Sequence, residues 1–194
     1  MLKTVALHGS ARIGGDTDTL TEHVLRGLRE SCRLEETHFR PIEMNIAHCK
    51  ACMHCATGSN CIIDDDMQRV YPAFSAADVV VIATPMFWGY MTSPLKTLFD
   101  RLEALASPAH FGGKDFVLVI GYRHYYGSMI EWLERIAGGF GSRSHPLACR
   151  TYDPVTQRDI PVTQRDDWLH QAREIGRTIA ALRSPPPVER NPVA

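Results

Sequence analysis

Four of the six cysteines in this chain stand within 13 residues, spaced Cys49-x2-Cys52-x2-Cys55-x5-Cys61. Thiols at every third residue wrap one loop around a single centre, and the fourth closes it from the return segment. That compact run suits a four-iron–four-sulfur cluster. A ferredoxin run places three residues in the last gap and a proline after it, whereas here the gap is five and Ile62 follows. Zinc is a second option, although structural zinc usually draws its cysteines from two separate knuckles. The third is no metal, since free cysteine packs readily as a small apolar residue. His48, Lys50 and His54 lie among the four and offer positive charge to a cluster, or simply face solvent. Cys32 and Cys149 have no spacing partner and read as packing residues.

A second chemistry-bearing stretch runs Gly9-Ser10-Ala11-Arg12-Ile13-Gly14-Gly15-Asp16-Thr17-Asp18-Thr19. It is neither the Rossmann fingerprint nor the P-loop. It offers hydroxyls, a fixed positive charge at Arg12 and glycines leading into a helix, whose N-terminal N–H groups favour a terminal phosphate. An ordinary βα turn with a hydroxyl cap gives the same pattern. Asp16 and Asp18 repel a phosphate dianion, yet both also suit a helix N-terminus. The third stretch is Thr84-Pro85-Met86-Phe87-Trp88-Gly89-Tyr90, too apolar for a solvated loop. It can form a flat wall for a planar ring, or cover a sheet edge or a subunit contact. Together, a phosphate-type loop and an aromatic wall favour a mononucleotide such as FMN. His124, Tyr125 and Tyr126 read chiefly as packing or interface residues.

These stretches are positioned by short apolar runs alternating with helical periods. The run 4–8 reads as a strand that stops at Gly9, and 34–42 as a weaker one. Unbroken apolar runs at 79–83 and 116–120 predict strands covered on both faces, as in parallel sheets. A short strand near 147–149 completes five. Helices are expected from Thr17 (Leu20, Val24 and Leu28 on one face), from Asp65 and Gln68 at capping-box spacing, and from Ser93–Pro94. Two more are expected over 128–137 and from Thr163, the last with Trp168, Ala172, Ile175, Ile179 and Leu182 inward. The expected fold is an α/β doubly wound sheet of five parallel strands with helices on both faces. Ligands then bind beyond the strand carboxyl ends, near the topological switch point.

The 194 residues, 21 basic and 22 acidic, are expected to form one domain over 1–183 with a cysteine-rich insert at 48–64. The proline-rich tail 184–194 reads as disordered. A net charge of −1 without a polybasic run argues against nucleic-acid and membrane-surface partners. The absence of a long apolar stretch or a signal-peptide core leads to the expectation of a cytoplasmic protein.

The first loop, the 49–61 segment running into Asp65-Asp66-Met67, and the Thr84–Gly89 stretch with Leu95-Lys96 and Asp100-Arg101 occur in an order that resembles a known family. It is that of the NAD(P)H-dependent FMN reductase-like proteins of the flavodoxin-like superfamily, and within it the iron–sulfur flavoprotein branch. The resemblance covers about residues 3–150. It implies a flavodoxin-like fold, non-covalent FMN, and a homodimer or homotetramer with flavin near the subunit contacts. It further implies that Ser10, Arg12, Asp16 and Thr17 hold the FMN phosphate. Thr84, Pro85, Met86, Phe87, Trp88 and Gly89 would line the isoalloxazine, and Gly121 and Tyr122 would supply a third loop. Cys49, Cys52, Cys55 and Cys61 would ligate a 4Fe–4S cluster if one is present. Asp16 stands where the family usually has asparagine, and Phe87 where it often has tyrosine.

The expected activity is electron transfer from NAD(P)H through FMN to a quinone, flavin or other small acceptor, with no side chain assigned as acid–base catalyst. Two alternatives stand beside it. One is an electron carrier relaying between a ferredoxin-like partner, the cluster and FMN. The other is a non-enzymatic redox or metal sensor built on the cysteines.

Overall fold

The computed structural model describes residues 1–58 and 60–183; the predicted tail at 184–194 lies outside them. Five parallel strands form one sheet: β1 (Leu2–His8), β2 (Leu34–Phe39), β3 (Val79–Pro85), β4 (Asp115–Tyr122) and β5 (Arg143–Arg150). Their order is β2-β1-β3-β4-β5, the flavodoxin-like arrangement. The strand order reverses at β1, so the loops after β1 and β3 flank the switch point.

The unbroken apolar run of β3 is explained by what covers it. Successive side chains point to opposite faces. Val80 and Ile82 join the core built on α2 (Met67–Ala76), α3 (Ser93–Arg101) and α5 (Met129–Gly139). Val79, Val81 and Ala83 join the core on the other face, built on α1 (Asp16–Arg29) and α6 (Asp166–Arg183). A one-turn helix α4 (Pro108–Phe111) precedes β4, and a two-stranded ribbon, β6 (Tyr152–Asp153) with β7 (Arg158–Asp159), follows β5. No helix among the described residues is long and apolar enough to cross a membrane.

Helices α1 and α6 meet through glycines. A Cβ on Gly27 would stand 2.0 Å from the Arg173 carbonyl oxygen, and one on Gly176 would stand 2.1 Å from that of Val24. Two backbones this close leave no room for any side chain.

Several boundaries differ from expectation. Strand β2 ends at Phe39, and a 3-10 turn, Pro41–Glu43, replaces its last residues because Pro41 has no N–H for the ladder. The Asp65/Gln68 capping box does not close reciprocally. Asp65 accepts the Met67 N–H at 3.0 Å, but Gln68 donates instead to the Ile63 carbonyl. Helix α3 is preceded by Thr92 rather than Ser93 as its cap residue. The last helix begins at Asp166, with a 3-10 turn at Val162–Gln164 ahead of it, and Leu182 faces solvent. Cys32 lies past the end of α1, half-buried against the core, and Cys149 is buried on β5.

Candidate functional site

The loop from Gly9 to Gly15 runs directly from β1 into α1. Gly9 donates its N–H to the Ala83 carbonyl at 2.7 Å, seating the loop on the end of β3. The Ser10 hydroxyl accepts the Arg12 N–H at 3.0 Å, which closes a tight turn and turns the Arg12 guanidinium outward. Arg12 is exposed and forms no ion pair among the described residues. Gly15 occupies the cap position of α1 without any side-chain cap. The first-turn N–H groups therefore remain free to meet a ligand. Thr17 is buried, its methyl against Gly121 of β4. Asp16 turns away from the loop and accepts the Val162 N–H at 2.8 Å. Its carboxylate thereby tethers the approach to α6, although Asp16 still borders the larger of the two cavities described below.

Asp18 braces the loop from below. It accepts from Gly14 N–H at 2.9 Å, Arg40 at 2.7 Å and His8 Nδ1 at 2.8 Å. Burial pushes its carboxyl up, but the bonds from His8, Arg40 and Gly14 outweigh this and hold it below the ordinary carboxylate value. Arg40 also donates to the Ser10 carbonyl at 2.6 Å. None of His8, Asp18 or Arg40 was singled out as a site residue from the sequence. The available signal was a histidine at a strand's last position facing an acidic helix start.

The aromatic stretch folds as a tight hairpin. Phe87 and Tyr90 exchange N–H···O bonds at 3.0 and 3.1 Å, and the two residues between them both have positive φ, 53° at Trp88 and 73° at Gly89. This is the type I′ pattern, which normally takes Asn or Gly at its first centre. Placing tryptophan there costs about 1–2 kcal/mol, and its side chain is fully exposed. Met86 anchors the hairpin by donating its N–H to the Gly121 carbonyl at 2.9 Å. Thr84 is buried; its hydroxyl accepts the Thr92 N–H at 3.2 Å and donates to the Pro85 carbonyl, holding the loop from inside. Tyr125 packs on Gly89, and Gly127, at φ 59°, brings its backbone so close to the Gly89 carbonyl that a Cβ would sit 2.2 Å away. Tyr122 sets its ring edge-on to Tyr126.

Two cavities open where these loops meet, and both are lined by Arg12 and Phe87. The smaller, about 270 Å³, lies over Gly9, Ser10, Pro85 and the start of α3, with Ile42 at its mouth. The larger, about 710 Å³, adds Gly14, Gly15 and Asp16 on one side and Arg123, Thr151 and Asp159 on the other. The 3.1 Å Arg123–Asp159 pair and the stacking of Arg123 on Tyr152 belong to the small ribbon, which the sequence reading did not anticipate. A glycine-rich loop with free helix N–H groups, an unpaired guanidinium and an apolar aromatic wall fits a phosphate-bearing planar cofactor. Of the predicted residues, Ser10, Arg12, Asp16, Pro85 and Phe87 line these cavities, whereas Thr17, Met86, Trp88, Gly89, Gly121 and Tyr122 line neither. Thr84 is buried behind the loop.

The cysteine segment lies apart on a loop whose ends are pinned side by side. Asn45 and Asp66 are joined by two bonds, and Asp65 accepts the Ala47 N–H at 3.0 Å. Arg101 donates to the Ala47 carbonyl at 2.8 Å and to Asp65 at 2.5 Å, and its other terminal nitrogen is 3.4 Å from Cys61 Sγ. Burial raises the Cys61 thiol, but the Ile63 N–H, the Tyr71 hydroxyl and Arg101 together hold it below the ordinary value. Burial and Cys61 in turn push Tyr71 up to about 12. Cys49 and Cys52 are exposed and Cys55 half-buried. Among the described residues no three histidine, cysteine or acidic side chains are gathered to hold a metal ion. The thiol donor set has the chemistry for a thiolate-bound centre, but the described residues do not gather it around one point. His48 approaches Thr97 Oγ1 at 3.4 Å, in a cleft that borders the smaller cavity through Ile42, Ser93 and Pro94.

The chain is 35% identical over 100 residues to an iron–sulfur flavoprotein of Methanosarcina thermophila, covering 52% of each chain. It is 35% identical over 105 residues to an iron–sulfur flavoprotein of Methanocaldococcus jannaschii, covering 54% of this chain and 52% of the relative. It thus spans about half the length of the curated relatives it matches. Among solved structures, an apo NADH:FMN oxidoreductase superposes with a TM-score of 0.66 at 17% identity, covering 96% of this chain and 92% of the other, a likeness of fold. The family model for NADPH-dependent FMN reductase matches residues 2–141, from the first strand through α5, and the chain belongs to that family.

Proposed function

We propose that this chain is an FMN-dependent oxidoreductase that draws electrons from NAD(P)H and passes them to a quinone, a flavin or another small acceptor. The observation that carries this reading is the convergence of Arg12 and Phe87 on the same two cavities at the switch point. A charge-assisted phosphate contact and a flat apolar wall are there held a loop apart. When bound, FMN supplies the hydride and single-electron chemistry. The protein's part is to seat and orient it. Arg12 and the α1 N-terminus take the phosphate, the stretch from Thr84 to Gly89 shields one ring face, and Gly121 and Tyr122 bound the edge. The acceptor enters over the exposed Phe87 and Trp88, and the same residues lie where a second subunit would meet the flavin.

The test is the absorption spectrum of the purified protein, and of the FMN-reconstituted protein under anaerobic conditions. Stoichiometric FMN bleached rapidly by NADPH or NADH, followed by reoxidation with a quinone, is the expected result. A protein that takes up no FMN overturns the reading. FMN that is bound but reduced only by dithionite or a ferredoxin-like donor favours the carrier.

A second centre at Cys49, Cys52, Cys55 and Cys61 is favoured by the guanidinium of Arg101 against Cys61 and by the pinned loop ends. Anaerobic reconstitution with iron and sulfide should give four irons per chain, lost in Cys61→Ala. Zinc alone, or no metal, would limit the protein to its flavin. Cysteine oxidation without flavin uptake would instead favour the sensor.

A further inference from the structure

The two cavities at the switch point differ in what borders them. Gly15, Asp16 and Thr19, at the start of α1, line only the larger one, so the phosphate end of a mononucleotide belongs there. The smaller one is lined by no residue of α1, and its apolar walls are Ile42, Pro85, Phe87 and Pro94. It also continues sideways. Ile42, Ser93 and Pro94 line in addition a cleft of about 230 Å³ that runs over Pro41, Ile46 and Thr97 to His48. The ridge between the two spaces is held rigidly. Ile42 is the middle residue of the 3-10 turn Pro41–Glu43, in which Glu43 donates its N–H to the Arg40 carbonyl at 2.9 Å and Met44 donates to the Pro41 carbonyl at 3.2 Å. Arg40 is itself bonded to the Ser10 carbonyl and to Asp18. Opposite, Pro94 stands in the first turn of α3, and the Thr92 hydroxyl before it donates to the Gly9 carbonyl at 2.7 Å. Both sides are thereby fixed to the first loop, yet Ile42 is left 50% exposed. No carboxylate, lysine or arginine lines the cleft among the described residues, and the Thr97 hydroxyl donates within its own helix, to the Ser93 carbonyl at 3.1 Å. A rigid apolar strip that leads out of an apolar cavity suits an apolar chain and disfavours a charged one.

We propose that the smaller cavity and this cleft form one continuous acceptor site, which takes a quinone ring carrying an apolar side chain. This inference rests on the reading that FMN seats at the first loop, and it narrows the acceptor from small oxidants in general to alkylated quinones. The ring lies against Pro85 and Phe87, beside the larger cavity, because Phe87 borders both. The side chain passes between Ile42 and Pro94 and continues along Ile46 and Thr97 toward His48. Each methylene buried there strengthens binding about fourfold. An acceptor without such a chain fills the cavity and leaves the cleft empty, and one with a charged chain meets no opposite charge in it. Ile42 and Pro94 are the apolar side chains common to both spaces. Ile42 is thus a specificity-determining residue, and one that can be changed without disturbing the start of α3.

The experiment is equilibrium dialysis of oxidised quinones against the FMN-loaded protein without NAD(P)H, so that binding is read apart from turnover. One probe is a benzoquinone with a hexyl chain, the other the same ring with methyl in its place. The wild type should bind the hexyl quinone at least about tenfold more tightly. Ile42→Ser removes the apolar ridge, and Thr97→Trp fills the cleft from α3. Non-specific adsorption of the longer quinone is common to all three proteins, and far-UV circular dichroism checks the fold of each variant. The hexyl-to-methyl preference should fall below about threefold in either folded variant. A wild-type preference near one overturns the inference. A large preference that both variants keep puts the side chain elsewhere and overturns it as well. A protein that takes up FMN but binds neither quinone overturns the acceptor site and leaves the flavin reading intact. Absence of FMN uptake overturns the flavin reading, and this inference with it.

Discussion

Arg101 Nη1 meets Asp65 Oδ2 at 2.5 Å with the two side chains 1% and 3% exposed, and this pair joins the end of α3 to both ends of the cysteine loop. Burial works against both charges, but the bonds from Arg101, Ala47 and Met67 hold the Asp65 carboxyl below its ordinary value. The guanidinium is likewise kept charged, chiefly by Asp65 against its burial. Removing one partner leaves the other buried and uncompensated. Arg101→Met should therefore cost about 3–5 kcal/mol, read as a lower urea midpoint, and should speed proteolysis within 48–60. A midpoint unchanged from wild type would show that the pair is dispensable.

Asp115, buried at the start of β4, predicts how the fold responds to acid. Burial alone would raise its carboxyl, but bonds from Arg143, His145 and Arg183 outweigh this and hold it far below the usual carboxylate range. Its folded value is depressed, so its contribution is full above the unfolded value of about 3.9 and is lost as pH falls toward the folded one. Urea midpoints measured between about pH 7 and 3 should fall steeply below pH 4–5. Asp115→Asn should lower stability at neutral pH and flatten that fall.

Arg12→Ala should weaken FMN binding while leaving the fold intact, because its guanidinium is exposed and bonds to nothing among the described residues. Loss of a charge-assisted phosphate contact of about 1.5–3 kcal/mol corresponds to about 10- to 150-fold in Kd. Fluorescence titration measures it, with far-UV circular dichroism as the control. An unchanged Kd would place the phosphate elsewhere.

Thiol labelling should separate the cysteines of the apo-protein by position. Burial pushes Cys149 up to about 12, whereas Cys49 and Cys52 are exposed. Under native conditions at pH 8, iodoacetamide followed by mass spectrometry should mark Cys49 and Cys52 first and Cys149 only after unfolding. Early labelling of Cys149 would contradict its place in the β5 core.

What was legible in the sequence follows from how local each signal is. The apolar runs of β3 and β4 and the Leu20–Val24–Leu28 stripe of α1 are read from neighbours alone, and the structure places them as expected. The loops after β1 and β3 could be named because strand ends and aromatic content are also local. The roles of Asp16, Thr84 and Thr92 could not. Asp16 bonds to a residue 146 positions away, and the Thr92 hydroxyl reaches back 83 positions to the Gly9 carbonyl. The His8–His38 contact depends on the β1–β2 register, and the Arg101 clasp on α3 docking beside the cysteine loop. Such partners carry no spacing that marks them in advance.

The glycine contact between α1 and α6 bears on how the protein is made. The first loop and the helix whose N–H groups crown it leave the ribosome well before α6 does. Yet that helix is seated by Gly176 against Gly27, and Asp16 is tethered by Val162. Both partners are synthesised more than 130 residues later. Until α6 arrives, this face of the sheet is covered by α1 alone and Asp16 has no tether. Firm retention of a cofactor is thus expected only once α6 has docked against α1.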